Sequence, residues 1–186
     1  PYQGKILRPG DKKHPAKLAF IQCVGSRDSE RDYCSSVCCM YATKEAILAK
    51  EHQRDIQCDI YFMDLRAFSK GFEEYYNRAK ALGVNYIRCR VPEIEEIAGS
   101  GNLKVNFVNE EEQKLSAEYD MVMLSAGMCP PKSAKDLAGV FNLKLNEHGF
   151  CPTPVFAPSE TGREGIFAAG TFTEPKDIPE SVIQSS

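Results

Sequence analysis

Apolar and polar residues follow two different periods along the first half of the chain. KLAFIQC, CDIYFMD and VNYIRCRV are short, nearly continuous apolar runs, which are typical of buried parallel strands. Residues 35–52 and 68–82, which lie between these runs, place apolar side chains at helical spacing. The order strand, helix, strand, helix, strand predicts an α/β fold: a Rossmann-like parallel sheet with helices on both faces.

The pattern changes after residue 92. EIEEIAGSGNLKVNFVNEEEQKLSAEYD reads as short strands separated by turn-forming residues and an acidic tip, which predicts an antiparallel β-meander. We expect the chain to return to the sheet through a buried strand at 121–125. A short helix at 133–138, a proline-rich passage and a last apolar strand, GIFAAG, are expected to follow.

Charge and hydropathy exclude two classes of partner. The chain has 23 Lys and Arg against 26 Asp and Glu, a net charge of −3, and no basic run. A nucleic-acid partner is therefore not expected. No apolar stretch approaches the roughly 20 residues of a transmembrane helix, and no apolar signal core precedes the first strand. We expect a cytoplasmic protein without direct membrane insertion.

Four cysteines form the densest group of metal-ligating residues. Cys23, Cys34, Cys38 and Cys39 are spaced C-x10-C-x3-C-C, from a strand end through a loop to a helix entrance. Adjacent cysteines on a helix point about 100° apart, which suits two corners of a [4Fe–4S] cluster better than one small ion. The helix entrance also favours a negatively charged group. A zinc site, redox-active thiols and unliganded core cysteines remain open alternatives.

The other candidate ligands are scattered along the sequence. Cysteine is among the most often buried residues, so the remaining four are excluded as ligands: Cys58, Cys89, Cys129 and Cys151. The three histidines have no companion at ligand spacing. Asp64 closes the second strand, where a dinucleotide fold often places its ribose-binding acid, but the required G-x-G-x-x-G loop is missing after the first strand. A nicotinamide site is therefore disfavoured.

Several segments together resemble one protein family. IQCVGSRD, YCSSVCCMYATKEAILAKEH, MDLRAFSKGFEEYYNRA and PKDIPESV resemble the middle portion of the heterodisulfide reductase A subunit and its relatives, which include the A subunit of quinone-interacting membrane-bound oxidoreductase complexes. The resemblance covers nearly the whole chain. It implies a thioredoxin-reductase-like flavoprotein core with FAD and iron–sulfur clusters, and it assigns the four cysteines as ligands of one [4Fe–4S] cluster.

The resemblance also implies an organisation and a set of partners. Residues 1–16 would be a lead-in, 17–140 a dinucleotide-domain-like α/β domain, and 141–186 a return segment of a truncated FAD domain. GIFAAGT resembles the segment that re-enters the FAD domain, so the flavin-contacting residues would be Gly170, Thr171, Asp177 and Ile178. The partners would be other subunits of a heterodisulfide reductase-like complex and electron donors such as ferredoxin or hydrogenase. We expect the chain to be a piece of a longer enzyme, inactive alone, that lacks tight FAD binding.

Two rival functions stay open at this stage. The first is a zinc-stabilised or thiol-stabilised interaction domain without redox turnover. The second is the NAD(P)H-binding domain of a dehydrogenase, which the strand and helix order favours and the missing glycine loop opposes.

Overall fold

The computed structural model describes residues 5–186 and divides the chain into two compact units. The first unit consists of Pro1–Val24 and Cys38–Ala126, and the second of Gly25–Val37 and Gly127–Ser186. These units divide the chain differently from the domain boundaries expected at 16/17 and 140/141, which stay a prediction. The first four residues of the expected lead-in lie outside the described range. Within the described part, no helix has both the length and the apolar character needed to cross a bilayer.

The first unit contains all seven named strands and two helices. Along the chain these are β1 (Lys17–Val24), α1 (Cys38–His52), β2 (Gln57–Phe62), α2 (Phe72–Ala81), β3 (Val84–Arg88), β4 (Glu93–Glu96), β5 (Leu103–Val108), β6 (Lys114–Tyr119) and β7 (Met121–Ala126). The second unit contains α3 (Ala134–Phe141), a short 3-10 helix (Gly170–Phe172) and α4 (Ile178–Ser185).

A parallel four-stranded sheet forms the centre of the first unit. Its strand order is β3-β2-β1-β7, and the register pairs Phe20 of β1 with Ile60 of β2 and with Met123 of β7. The central strands are buried because their apolar runs are packed on both faces. Strands β4, β5 and β6 form a separate antiparallel sheet. The parallel sheet and the antiparallel meander predicted from the sequence are both confirmed.

The two faces of the parallel sheet are covered by different elements. Leu18 and Phe20 of β1 pack with Ala42, Ala46 and Ile47 of α1 in one core cluster. Ala19 and Ile21 point to the opposite face, where they pack with residues of the meander: Val105, Phe107 and Tyr119. The expectation of helices on both faces is therefore corrected. The described contacts place α1 and α2 on one face, and the meander covers the other because its inward residues are aromatic and branched.

Two further expectations about the elements were wrong. Helix α1 begins at Cys38 rather than Ser35, because Ser36 has φ of +61°, a left-handed conformation that cannot continue into a helix. The stretch GIFAAG is not a strand: within residues 5–186, Phe167 forms only an isolated bridge with Glu160. An apolar run becomes a strand only where a neighbouring strand takes its backbone hydrogen bonds.

Candidate functional site

A local distortion at the end of β1 positions Cys23. The β1–β7 register shifts between Ile21 and Val24, as in a β-bulge, and Cys23 has φ of +60°. A left-handed conformation costs a non-glycine residue roughly 1–2 kcal/mol, and bulges commonly re-aim side chains beside functional sites. The bulge therefore turns Cys23 out of the regular alternation of the strand, at the carboxyl end of the sheet.

Helix α1 begins with two buried cysteines. Cys38 and Cys39 are 4% and 2% exposed and are the first two residues of the helix. The first turn contains no acidic residue, whereas Lys50 and His52 lie in the last turn. The positive end of the helix dipole is therefore not neutralised by a carboxylate of its own first turn, and it stabilises negative charge at Cys38.

We call Cys23, Cys38 and Cys39 the cysteine corner, because the fold brings these three thiols together within the first unit. Hydrogen bonds from the Cys23 and Cys39 thiols lower the pKa of Cys38 to about 3, against the opposing effect of burial. The pKa of Cys39 is raised, first because its thiol donates to Cys38 and second because it is buried. Cys38 is therefore a thiolate at neutral pH, which is the form that binds metals.

The loop after β2 contacts the same corner. The Cys39 Sγ lies 3.7 Å from the carbonyl oxygen of Asp64. The backbone N–H of Arg66 donates to the Cys39 sulfur and offsets part of its raised pKa. Loops that follow neighbouring parallel strands meet at one edge of a sheet, which is where α/β folds bind their ligands.

Cys34 belongs to the second unit, where its loop is tied down on both sides. The Tyr33 hydroxyl donates to the carbonyl oxygen of Met128 at 2.9 Å, and the Met128 N–H donates to the Ser35 Oγ at 2.8 Å. The half-buried Cys34 sulfur accepts a hydrogen bond from the Ser36 N–H at 3.3 Å. Tyr33 and Ser35 were not identified from the sequence as residues that fix this loop. The only feature of the sequence that could have indicated them is their position on either side of Cys34.

The donor set of the corner is all sulfur, which is the chemistry of iron–sulfur and zinc sites. Among residues 5–186, no three His, Cys, Asp or Glu side chains are placed to surround a single metal ion. A cluster distributes its cysteine ligands over several iron atoms. A group of thiols with one thiolate already formed fits such a cofactor, so the cysteine corner can supply three of its ligands.

The cysteines excluded as ligands have ordinary environments. Cys58 is fully buried in the core of the parallel sheet, and burial raises its pKa to about 11. Burial also raises the pKa of the half-buried Cys89 to about 11. Cys151 is buried and Cys129 is exposed. A neutral thiol in a core is a packing group, which is the ordinary role of a residue placed like Cys58, and the exclusion of these four cysteines as ligands stays a prediction.

The residues expected to contact FAD lie in the second unit, in a stretch that we call the Gly170–Glu180 segment. Gly170 has φ of +69°, and its N–H donates to the Gln184 Oε1 at 2.8 Å. The Asp177 side chain accepts from the Glu180 N–H at 2.7 Å, and the Glu180 carboxylate accepts from the Asp177 N–H at 3.0 Å. This reciprocal pair is a capping box that begins α4. Thr171 and Ile178 are exposed.

Asp64, the candidate ribose-binding acid, has a partner in the first unit. Arg88 of β3 donates to the Asp64 Oδ1 at 3.2 Å and also forms an ion pair with Glu110 at 3.3 Å. These side chains are about half exposed, so each pair contributes little to stability. The carboxylate is nevertheless directed to an arginine of the neighbouring strand.

Comparison with known proteins finds relatives along the whole chain. It is 47% identical over 195 residues to the second iron-sulfur A subunit of CoB–CoM heterodisulfide reductase from Methanopyrus kandleri, and 43% identical over 194 residues to the corresponding A subunit from Methanocaldococcus jannaschii. It is 40% identical to the A subunit of the H2:CoB-CoM heterodisulfide,ferredoxin reductase of Methanothermobacter marburgensis. Each match covers 100% of this chain and 29% of the relative. No protein-family model matches.

Solved structures agree with the fold at low sequence identity. LpdA of Mycobacterium tuberculosis matches 93% of this chain and 33% of its own, with a TM-score of 0.59 and 14% identity. Thioredoxin reductase of Lactococcus lactis matches 98% of this chain and 51% of its own, with a TM-score of 0.59 and 16% identity. The resemblance to the heterodisulfide reductase A subunit and the flavoprotein-reductase fold, both inferred from the sequence, are confirmed.

Proposed function

We propose that the chain is an electron-transfer segment of a heterodisulfide reductase-like oxidoreductase. The whole chain aligns with 29% of the length of each heterodisulfide reductase A subunit compared above. Cys23, Cys34, Cys38 and Cys39 hold one [4Fe–4S] cluster, which supplies a one-electron carrier when bound. The single observation that carries the proposal is the hydrogen-bonded contact of Cys38 with both Cys23 and Cys39. Cys34 is the fourth ligand by its spacing in the motif.

The chain's own groups prepare this site for a negatively charged cofactor. The bulge turns Cys23, and the start of α1 directs backbone N–H groups and the positive dipole end at Cys38. The low pKa of Cys38 means that one ligand is already deprotonated, so fewer protons are released when the site is loaded. Burial of Cys38 and Cys39 keeps water from their sulfurs.

The proposal also gives this segment a role in the longer enzyme. Electrons pass between FAD of the longer protein and partner subunits through the cluster, and Gly170, Thr171, Asp177 and Ile178 form one wall of the flavin site. The partners are the other subunits of a heterodisulfide reductase-like complex and an electron donor such as ferredoxin or hydrogenase. The names of several relatives include ferredoxin. The complex works in the cytoplasm, and the isolated segment has no turnover of its own.

The experiment that tests the proposal is a count of iron and sulfide. The 186-residue chain is reconstituted anaerobically with iron and sulfide, desalted, and assayed for both elements and for its visible absorption spectrum. We expect about four iron atoms and about four labile sulfides per chain, with broad brown absorption.

Two other results would contradict the proposal. Retention of zinc at one ion per chain, without labile sulfide, would favour a zinc-stabilised interaction domain. A chain that retains neither metal but binds a nicotinamide nucleotide would favour a dehydrogenase domain. A parallel titration with NADH and NADPH, followed by nucleotide fluorescence, detects that case.

A further inference from the structure

Gln22 is a buried polar residue whose side chain has no hydrogen-bond partner. It precedes Cys23 in β1 and is 7% exposed. Among the described residues, neither its Oε1 nor its Nε2 has a hydrogen-bond partner, although both atoms are shielded from solvent. A buried amide without partners costs free energy, so an apolar side chain at this position would stabilise the isolated fold. The amide therefore points to a group that it bonds in the working protein.

The strand pattern shows where the Gln22 side chain is directed. Side chains alternate along a strand, and Leu18 and Phe20 point to the face that packs on α1. Gln22 is the next position of that series. On α1, Cys39 lies three residues before Ala42 and seven before Ala46, so it shares the core-facing stripe with them. In a strand–helix–strand unit, the end of β1 and the start of α1 lie at the same edge of the sheet. The left-handed φ of the bulge is at Cys23, so the alternation extends as far as Gln22 and places it on the α1 face, at the edge of the sheet where the cysteine corner lies.

We propose that Gln22 is a positioning residue for the cluster and that its amide N–H donates a hydrogen bond to a sulfur of the group held by Cys23, Cys38 and Cys39. This inference rests on the proposed function. Hydrogen bonds to cluster sulfurs are one of the levers that set a cluster's reduction potential. They raise it because reduction adds negative charge, which the N–H dipole stabilises. The same bond removes the cost of the orphaned amide when the site is loaded.

The proposal predicts effects of opposite sign in the two states of the Gln22→Met variant. Without cofactor the variant should unfold at a higher denaturant concentration than the wild type, because an orphaned amide has been replaced by an apolar group of similar length. After reconstitution its cluster should be harder to reduce, by about tenfold in the one-electron equilibrium or about 59 mV. The measurements are denaturant unfolding of the metal-free chain and a redox titration followed by electron paramagnetic resonance.

Gln53→Met is the matched control. The Gln53 Nε2 donates to the Pro15 carbonyl oxygen at 3.1 Å, beyond the carboxyl end of α1 and therefore away from the cysteine corner. This variant should be less stable than the wild type without metal, and its cluster should keep the wild-type potential. Gln22→Leu serves as a second apolar variant in case methionine packs poorly.

Each outcome separates this inference from the proposed function. A wild-type chain that holds no cluster overturns both. A wild-type chain that holds a cluster, with an unchanged potential in Gln22→Met, overturns only the role of Gln22. Failure of both apolar variants to fold without cofactor also overturns it, because the amide must then have a structural partner. Loss of iron from a folded Gln22→Met chain, with iron kept by the control, supports the hydrogen bond.

Discussion

The cysteine corner and the Gly170–Glu180 segment were both expected to face cofactors, and their internal chemistry differs. In the corner, buried thiols share protons, Cys38 is held as a thiolate, and the neighbouring Gln22 amide is unpartnered. In the segment, the Gly170 N–H bonds Gln184, and Asp177 and Glu180 cap each other. The corner thus has hydrogen-bonding capacity that the protein alone leaves unused, whereas the segment satisfies its polar groups locally.

This difference indicates how each region depends on a cofactor. Unpartnered buried polar groups and a perturbed pKa are typical of a binding site, because they cost stability unless a ligand compensates. A capping box stabilises a helix whether or not a ligand is present. Ile178 and Ile183 of α4 are 78% and 76% exposed, so this helix presents apolar side chains to solvent.

The largest expected effect is loss of iron from the cysteine corner. Changing any one of Cys23, Cys34, Cys38 or Cys39 to Ser should remove most of the iron after reconstitution, because a hydroxyl is a poor replacement for a thiolate ligand. Iron and labile sulfide per chain are the measurement.

Cys58→Ser is the control for this series. Cys58 is fully buried away from the corner, so the change should keep the iron and lower the free energy of unfolding by about 1–3 kcal/mol, the cost of a buried hydroxyl. Equal iron loss in Cys58→Ser and in the four ligand variants would indicate unfolding and contradict the assignment.

A second change tests the buried hydrogen-bond network on the face of the sheet that the meander covers. Tyr119 of the meander donates to the Asp59 Oδ2 at 2.6 Å and shares a hydrogen bond with the Tyr61 hydroxyl at 2.7 Å. Asp59 is 3% exposed, so Tyr119→Phe should lower the free energy of unfolding by about 1.5–3 kcal/mol, typical of a hydrogen bond to a charged group. Tyr41→Phe, at a residue 53% exposed, should leave it nearly unchanged. A Tyr119→Phe chain as stable as Tyr41→Phe would show that this network contributes nothing.

The same network predicts a pH dependence. Burial raises the pKa of Tyr61 to about 12, above the usual value of about 10 for an unfolded tyrosine. The contribution of Tyr61 to stability is therefore complete below about pH 10 and is lost as pH rises towards 12. Denaturant unfolding of wild type and Tyr61→Phe should show a wild-type advantage that shrinks over this window, and an advantage that grows would contradict the interpretation.

A smaller effect is expected in the Gly170–Glu180 segment. Asp177→Ala removes the side chain that accepts from the Glu180 N–H and should destabilise α4 by about 0.5–2 kcal/mol. The readout is amide hydrogen exchange of α4, with roughly fivefold faster exchange for about 1 kcal/mol. Asp136→Ala in the first turn of α3 is the control, since it should leave α4 unchanged.

The smallest expected effect is no binding of FAD. A helix N-terminus stabilises a nearby anion by roughly 0.3–2 kcal/mol, whereas micromolar affinity requires about 8 kcal/mol. Equilibrium dialysis of FAD against the 186-residue chain should therefore detect no stoichiometric binding at micromolar concentration. Stoichiometric binding would contradict the contrast between the two regions and would show that the flavin site has been assigned to the wrong residues.

Parts of the fold could be predicted because the evidence for them is local. The continuous apolar runs of β1, β2 and β3 and the helical spacing between them indicated the parallel sheet, since both patterns reflect burial of a single element. The same rule predicted a strand at the last apolar run, GIFAAG, and that prediction was wrong. Its sequence suits a strand, but a strand also needs a neighbouring strand to take its backbone hydrogen bonds. The local sequence does not show whether such a neighbour is present.

The sequence by itself determined the identity and spacing of the four cysteines, the α/β order and the family resemblance, because each depends only on residues that are close together in the sequence. Only the tertiary structure decided which groups meet: the bulge that turns Cys23, the thiol contacts that make Cys38 a thiolate, and the meander that covers the second sheet face. It also decided that Gln22 is buried without a partner. Burial, protonation and hydrogen-bond satisfaction depend on residues far apart in the chain, so they arise only when the fold brings those residues together.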